Sequence, residues 1–181
     1  MEKKYKLTKE FITFNGRKLY RIEAVRDFDN ITKGQKGGFI ETESNLSHDG
    51  NAWISGDAKV FGNAEVSGNA KVTDNAIVYG NAKVTDNARV SGNAYIDDDA
   101  IVYGEAKVYD SAMAYGDANV YGNAEVFDHA KIFGYAKIFG YAQVYGHADV
   151  CGRSNVYGSA KVYGNAFVCD EERVCGKEKV N

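Results

Sequence analysis

Hydrophobic and polar positions alternate along this chain with a period of six residues. From Ala52 to Gly176 the sequence repeats alanine, any residue, valine or isoleucine, any residue, glycine or aspartate, and most often asparagine, as in AKVFGN and AKVTDN. The alanine and the valine stand two positions apart, so in an extended segment both side chains point to the same side. The last two positions accept the left-handed and tight-turn conformations that end a strand. Each hexad is therefore predicted to be a very short strand followed by a corner.

Twenty-one such hexads follow one another without an insertion. A strand this short cannot bury its apolar face alone, so successive strands must wind around a shared core. Alanine at the corner and valine or isoleucine on the flat part would fill a narrow interior. The pattern therefore predicts an all-β fold, a solenoid of the parallel β-helix type.

The repeat resembles that of the hexapeptide-repeat superfamily. The resemblance implies a single-stranded left-handed parallel β-helix with three hexads in each triangular coil, and about seven coils over residues 52–176. It also implies homo-oligomers, since trimers are common in that superfamily. Many of its members are acyltransferases that use coenzyme A or acyl carrier protein.

The N-terminal part follows a different pattern. Apolar and polar residues alternate on both sides of Asn15-Gly16 in FITFNGRKLYRI, which is the strongest short-range signal for a β-hairpin. Because an exposed β-helix end leaves strand edges unpaired, we interpret residues 1–40 as an N-terminal β cap. Residues 41–176 form the predicted β-helix and 177–181 a C-terminal tail, within one structural domain. The charged segment DEERVCGKEKVN is expected to cover the other end.

The entry into the repeat contains an irregular step. Ile40, Leu46 and Ile54 are candidate inward-facing residues, and the step from Leu46 to Ile54 is eight residues rather than six. We therefore expect a register shift between His48 and Asn51.

This entry segment also resembles that of the YdcK-like bacterial proteins and their phage and prophage relatives. The shared pattern is a Gly-Gly-aromatic-hydrophobic stretch, then NLS, then Gly-Asn before a tryptophan. The residues that carry it here are Gly37, Gly38, Phe39, Ile40, Asn45, Leu46, Ser47, Gly50, Asn51 and Trp53. Those proteins are labelled as transferases from the repeat alone, so the resemblance implies a fold more than an activity.

Charge and composition suggest a cytoplasmic protein. The chain has 22 basic and 25 acidic side chains, a balance that argues against nucleic acid as a partner. No secretory h-region and no membrane-length apolar run is visible, so we expect no membrane partner. The three cysteines have no metal-ligand spacing. Cys151 and Cys169 are eighteen residues apart and would stack on adjacent coils, where two solvent-facing reduced thiols are favoured over a disulfide.

Outward-facing residues can be sorted by face, because every third hexad shares a wall. One wall, which we call the first wall, carries a long series of apolar residues that continues to Phe167. This series predicts a protein interface. Its residues are Phe61, Ile77, Tyr79, Tyr95, Met113, Tyr115 and Phe133. The second wall carries an aromatic column, Tyr109, Phe127, Tyr145 and Tyr163, and the third wall carries Tyr103, Tyr121, Phe139 and Tyr157. These two columns are interpreted as stacking within the coil.

The second wall also carries a basic ladder, Lys71, Arg89 and Lys107, beside its aromatic column. Basic residues next to stacking rings can hold single-stranded nucleic acid. Glu125 follows in the same ladder and the net charge of −3 is unfavourable, so we interpret the ladder as a solvated face.

The three histidines are the only candidates for a catalytic base. His129 and His147 replace the corner asparagine in hexads eighteen residues apart, whereas His48 lies in the predicted register shift. No loop interrupts the hexads to shape an acceptor site. The sequence therefore predicts no catalytic residues, no metal site and no cofactor, and a non-catalytic protein-binding or structural β-helix. We expect this protein to form a dimer or trimer or to bind another protein. The resemblance of its entry segment implies a phage or prophage accessory protein that occupies a host protein surface. The alternative is an acyltransferase that uses acetyl-CoA or another acyl-CoA at a trimer interface.

Overall fold

The computed structural model describes residues 2–181 and consists almost entirely of short strands. The strands are β1 Tyr5–Phe14, β2 Arg17–Ala24, β3 Lys36–Ile40, β4 Trp53–Ile54, β5 Lys59–Val60, β6 Glu65–Val66, β7 Lys71–Val72, β8 Ile77–Val78, β9 Lys83–Val84, β10 Arg89–Val90, β11 Tyr95–Ile96, β12 Ile101–Val102, β13 Lys107–Val108, β14 Met113–Ala114, β15 Asn119–Val120, β16 Glu125–Val126, β17 Lys131–Ile132, β18 Lys137–Ile138, β19 Gln143–Val144, β20 Asp149–Val150, β21 Asn155–Val156, β22 Lys161–Val162, β23 Phe167–Val168, β24 Arg173–Val174 and β25 Lys179–Val180. One 3₁₀-helix, Glu43–Asn45, lies between β3 and β4. Residues 2–181 contain no helix long and apolar enough to cross a bilayer.

The predicted β-helix is confirmed as a parallel β-solenoid. Strands β3 to β25 stack in three parallel sheets, one for each wall. Strand β3 pairs with β5, and from β4 onward each strand pairs with the strand three positions later along the chain. The first-wall sheet has ten strands, of which β1 and β2 belong to the N-terminal hairpin. The remaining eight strands of that sheet mark eight coils, numbered 1 to 8 from the N-terminal end.

The hexad explains this winding directly. The alanine and the valine or isoleucine of each repeat point inward and form one continuous buried core along the solenoid. The fifth residue of each hexad is glycine or aspartate with a positive φ, 65° at Gly56 and 62° at Asp74. Each coil donates backbone N–H groups to the carbonyls of the next coil, as Lys59 does to Ala76 over 2.9 Å. The repeat therefore satisfies its backbone mainly between coils, with additional bonds inside the corners such as Ala70 N–H to the Ser67 carbonyl.

Coil 1 adds one turn to the seven predicted from the hexads. It consists of β3, Leu46 and β4, and Leu46 forms a parallel bridge with Val66. Ile40, Leu46 and Ile54 are fully buried, which confirms that all three face inward. Leu46 lies opposite Val66 and Ile54 lies opposite Val72. The eight-residue step from Leu46 to Ile54 in coil 1 is therefore matched by the six-residue step from Val66 to Val72 in coil 2. The two extra residues of coil 1 belong to the corner after Leu46.

The N-terminal cap begins with the predicted hairpin. Strands β1 and β2 are antiparallel and meet at Asn15-Gly16, and β2 then pairs antiparallel with β3. Gly37 lies where a Cβ atom would come within 2.7 Å of the Trp53 ring and within 2.6 Å of the Ile54 carbonyl oxygen. Gly38 is equally close to Ile54 and Ala58. The two glycines of the entry motif therefore let β3 pack directly on the next strands.

The cap also closes the N-terminal end of the core. Tyr5, Ile22, Phe28 and Ile31 join the same buried core as the first coils. Phe28 packs edge-on against Trp53, so this outward-facing tryptophan is covered. The end of the solenoid that the sequence assigns to a cap is therefore sealed by apolar side chains.

The C-terminal end differs from the prediction. Lys179–Val180 lie in the predicted tail but pair with Lys161–Val162 as part of coil 8. In this coil Glu172 and Glu178 stand where earlier coils have alanine or, at Ser154, serine, and both are exposed. Charged residues at inward positions discourage pairing at a strand edge, so the last coil protects its edge without a separate cap.

The prediction of two solvent-facing thiols is wrong. Cys151 and Cys169 stack on adjacent coils with Cα atoms 4.5 Å apart, and their sulfur atoms are joined as a disulfide. The two residues are only 7% and 8% exposed. Cys175 is the free cysteine of the chain.

Candidate functional site: the first wall

The first wall presents two columns of outward-facing residues. Column 1 contains the first residue of each strand, which is Lys59, Ile77, Tyr95, Met113, Lys131, Asp149 and Phe167 from coil 2 to coil 8. Column 2 contains the residue after each strand, which is Phe61, Tyr79, Asp97, Tyr115, Phe133, Cys151 and Cys169. The predicted interface residues all lie in these two columns.

One predicted interface residue is not on the surface. Phe61 is 3% exposed because the hairpin folds over it, with Phe14 edge-on at 5.7 Å between ring centroids. Leu19 and Phe39 complete this small buried cluster. The prediction that Phe61 belongs to an exposed wall is therefore wrong, since the hairpin occupies that part of column 2.

The remaining apolar residues of the first wall are partly exposed. The rings of Tyr115 and Phe133 are parallel within 2° and 5.2 Å apart. Beside them in column 1 are Tyr95 and Met113, and Phe167 at the far end is 67% exposed. A rigid, flat apolar strip therefore runs along the first wall from coil 3 to coil 6.

Asp97 interrupts the aromatic column and leaves a notch. A cavity of about 380 Å³ lies at this point, lined by Tyr95, Asp97, Met113, Tyr115 and Lys131. The Tyr95 hydroxyl donates to the Tyr79 hydroxyl over 2.8 Å. Burial raises the pKa of Tyr79, and a hydrogen bond to Asp97 raises it further. The Asp97 carboxylate lies near the Tyr79 hydroxyl and keeps lone pairs for another donor.

The charges around the notch are mainly acidic. Burial raises the pKa of Tyr115, and the nearby carboxylates of Asp149 and Asp98 add to the shift. Lys131 is the basic residue of this group, and it is exposed. Among residues 2–181, neither Asp97 nor Lys131 belongs to an ion pair. A carboxylate and an ammonium group therefore face solvent, each unpaired, on the same apolar strip.

A second, more polar cleft of about 710 Å³ lies under the hairpin tip. Arg17 from the hairpin binds both carboxylate oxygens of Glu41 at 2.9 Å, and Glu41 also accepts the Gly62 N–H at 2.8 Å. The corner amides of Asn63 and Asn81 form the opposite side and are hydrogen bonded to each other at 3.0 Å. Asp97 and Asp98 also line this cleft. Its other charged and amide groups are engaged with one another, which is typical of a seam between two packed parts, here the hairpin and the solenoid.

The aromatic columns of the other two walls stack face to face. On the second wall Tyr109, Phe127 and Tyr145 are parallel within 5°, at centroid distances of 5.0 and 4.8 Å. On the third wall Tyr121 and Phe139 are 5.0 Å apart and parallel within 4°. Ring faces inside these columns are covered by neighbouring rings, so only ring edges and hydroxyl groups reach solvent. This arrangement stabilises the coil and leaves no free face between rings for a nucleic-acid base.

The predicted basic ladder exists, but two of its three members are paired. Lys71, Arg89 and Lys107 occupy neighbouring positions on adjacent strands. Lys71 binds Asp29 at 2.8 Å, and Lys107 binds Glu125 at 2.8 Å. The charge of the ladder is therefore largely balanced within the chain.

The structure does not bring the three histidines together. His48 stacks on Tyr5 at 4.3 Å, and burial lowers its pKa. His129 and His147 stack on each other at 4.9 Å on an exposed corner several coils away. None of the three lines any of the five surface cavities described, and residues 2–181 contain no group of three or more potential metal ligands.

Asp97 and Lys131, which line the notch, are not among the interface residues predicted from the sequence. The signal was present, because Asp97 is an acidic residue in a column that is otherwise aromatic from Phe61 to Phe133. Comparison with known proteins adds no identity: no protein-family model matches the chain, and no curated protein matches it.

Proposed function

We propose that this chain is a non-catalytic protein-binding β-helix whose interface is the first wall. The observation that carries the proposal is the apolar strip of Tyr95, Met113, Tyr115 and Phe133 on consecutive coils. Partly exposed rings held in a rigid stack lose little conformational entropy on binding, which favours a protein interface.

The biological setting of the proposal comes from resemblance. The entry motif is similar to that of phage and prophage proteins, which supports an accessory role in which the first wall occupies a surface of a host protein. The hexapeptide-type repeat supports self-association as the form of binding that the isolated chain would show.

The proposal is tested by solution mass. We expect light scattering to give a multiple of the 19.8 kDa chain mass, and Tyr115→Glu combined with Phe133→Glu to give the single-chain mass. Tyr79 is not a suitable position for this test, because its ring stacks on Phe61 under the hairpin.

The matched control is Tyr121→Glu combined with Phe139→Glu on the third wall, a pair with nearly the same stacking geometry. It should lose similar stability but keep the wild-type mass. If both double variants keep the wild-type mass, the first wall is not the interface.

The acyltransferase alternative is examined in the same samples with millimolar acetyl-CoA. Binding to the native state would raise the melting temperature. A melting temperature that rises with acetyl-CoA would favour the enzyme over the binding protein.

A further inference from the structure

We infer that the occupant of the first wall is a second copy of this chain, packed antiparallel about a two-fold axis at Met113, with Lys131 of each copy beside Asp97 of the other. This inference rests on the proposed function, since it names the partner of the same wall. It follows from the order of charges along the wall, from the shape of the wall, and from the symmetry that two identical surfaces must obey.

The charged residues one coil away from coil 5 have opposite signs on its two sides. Met113 pairs in register with Tyr95 of coil 4 on one side and with Lys131 of coil 6 on the other. Asp97 belongs to coil 4, so the free carboxylate and the free ammonium group lie one coil to either side of Met113. Coils are spaced by about 4.8 Å, which places the Asp97 and Lys131 backbones roughly 10 Å apart along the solenoid. Neither pairs with the other within one chain.

Consider a two-fold axis that lies between the two walls and is parallel to the strand at Met113. This axis reverses the order of the coils in the second copy, and it places column 1 of one copy opposite column 1 of the other and column 2 opposite column 2. Coil 4 of one copy then faces coil 6 of the other. Lys131 of the second copy lies over Tyr95 and next to Asp97, at the mouth of the 380 Å³ notch. The same contact occurs twice, because an isologous interface places residue i on j and j on i.

The notch suits an ammonium group. Asp97 supplies the counter-charge, and the rings of Tyr95 and Tyr115 supply faces on which a cation is attracted to the aromatic quadrupole. Met113 would meet Met113 of the second copy at the centre, where a flexible thioether adapts to its own image. The centre of the contact is therefore apolar and its two ion pairs flank it.

The shape of the wall agrees with this arrangement. The hairpin projects over column 2 at coils 2 and 3, where Phe14 covers Phe61. In the antiparallel arrangement it faces column 2 of coils 8 and 7, where the buried cysteines Cys169 and Cys151 leave the wall flat. The projecting part of each copy thus meets the recessed part of the other.

A parallel arrangement fails on the same features. With the two-fold axis along the solenoid, each coil would face itself, and the two hairpins would meet at coil 2 and hold the walls apart. Asp97 would face Tyr95, and Lys131 would face Phe133, so no opposite charges would meet. Of the two arrangements, only the antiparallel one brings Asp97 and Lys131 together.

The decisive experiment exchanges the two charges. Asp97→Lys places two ammonium groups at each contact, and Lys131→Asp places two carboxylates there, so each single variant should have the mass of one chain by light scattering. An equimolar mixture of the two variants should recover the dimer. One contact then joins the introduced lysine to the introduced aspartate, and the other joins the unchanged Lys131 of one chain to the unchanged Asp97 of the other. The variant that carries both substitutions should recover the dimer as well.

Matched controls are Glu65→Lys and Lys83→Asp, which make comparable changes at exposed positions on the third wall. They should keep the wild-type mass. Thermal unfolding by circular dichroism shows that each variant is folded. Single variants that keep the dimer mass, or a mixture that stays at the mass of one chain, would overturn the inference.

A cross-link tests the position of the axis independently. With Cys175 replaced by serine, Met113→Cys should form a disulfide with itself under mild oxidation, whereas Ile101→Cys on the third wall should not. Failure of this cross-link would also count against the antiparallel packing.

The two proposals fail in different ways. If Tyr115→Glu with Phe133→Glu abolishes association but the charge exchanges do not, the first wall is the interface and the antiparallel packing is wrong. A wild-type mass of a single chain at all concentrations overturns the second copy as occupant, and it leaves another protein to cover the wall.

Discussion

The ring of Phe14 in the hairpin meets the ring of Phe61 on coil 2 edge-on, with their centroids 5.7 Å apart. This contact joins two segments that are separated by more than forty residues in sequence. It decides where the exposed part of the first wall begins, because every column-2 ring beyond Tyr79 lies clear of the hairpin.

Phe14→Ala should loosen the hairpin and expose Phe61. We expect the free energy of unfolding to fall by about 2 kcal/mol, less than for a fully buried phenylalanine because Phe14 is only partly buried. Urea unfolding measures the loss, and faster proteolysis within residues 5–24 should accompany it. Phe11→Ala is the control: Phe11 is 49% exposed, and its loss should cost no more than about 0.5 kcal/mol.

Asn45→Asp should be among the most damaging substitutions in the chain. The Asn45 side-chain amide donates to the carbonyls of Gly62 and Ala64 at 3.0 and 2.8 Å, and its oxygen accepts the Thr42 N–H. A carboxylate at this buried position loses both donated bonds and repels the two carbonyls, at a cost of about 3 kcal/mol or more. Asn165→Asp, at an exposed corner, should be nearly neutral in the same chemical denaturation. Equal losses for the two variants would contradict this role.

The lowered pKa of Lys4 predicts that the free energy of unfolding increases with pH in the alkaline range. Its pKa is lowered to about 8, first by burial and then by the charges of Lys71 and Arg26, whereas an unfolded lysine titrates near 10.5. Between these values the folded state holds fewer protons than the unfolded state, so the contribution of Lys4 to stability rises with pH from about 8 and levels off near 10.5.

The measurement compares the wild type with Lys4→Met, which keeps the aliphatic stem. From pH 7.5 to pH 9.5 the unfolding free energy of the wild type should increase by about 1–2 kcal/mol relative to the variant. The comparison at each pH removes the contributions of tyrosines and thiols common to both proteins. A difference that stays constant, or moves in the opposite direction, would show that the buried Lys4 does not titrate in this range.

The Cys151–Cys169 pairing predicts one reactive thiol in the unreduced, denatured protein and three after reduction. Reduction should lower the unfolding free energy by about 3 kcal/mol, given the sequence separation of 18 between the two cysteines. Thiol titration and urea unfolding with and without reductant measure both effects. Cys175→Ser should remove the single reactive thiol and leave the stability unchanged, whereas three thiols without reductant would contradict the pairing.

The sequence predicts the solenoid because its period reflects local geometry. Alanine at Ala58 and valine at Val60 face inward for the same reason in every hexad, and both are fully buried. The hairpin at Asn15-Gly16 is equally local, since the turn residues and the alternation on either side define it. The assignment to a family is a different kind of prediction, which the fold leaves open.

What the sequence could not supply are contacts between the cap and the solenoid. The period makes Phe61 and Trp53 outward-facing residues, but Phe14 and Phe28 cover them from segments outside the repeat. The repeat predicts that Asp97 and Lys131 lie on the first wall. It does not predict the notch between them, because the notch depends on the orientation of the hydrogen-bonded Tyr79 and Tyr95 rings. Rotations of single rings have no signature in a hydrophobic pattern.

The fixed stacking of hexads on three walls gives the chain a screw symmetry, in which the face of a residue depends only on its position within a span of eighteen. Removing eighteen residues from the middle would shorten the rod by one rung and leave every remaining side chain on its own face. Removing six would turn everything beyond the cut by one third of a revolution, so that former third-wall tyrosines would continue the first wall. Length can therefore change in this architecture without altering the surface it presents, but only in whole rungs.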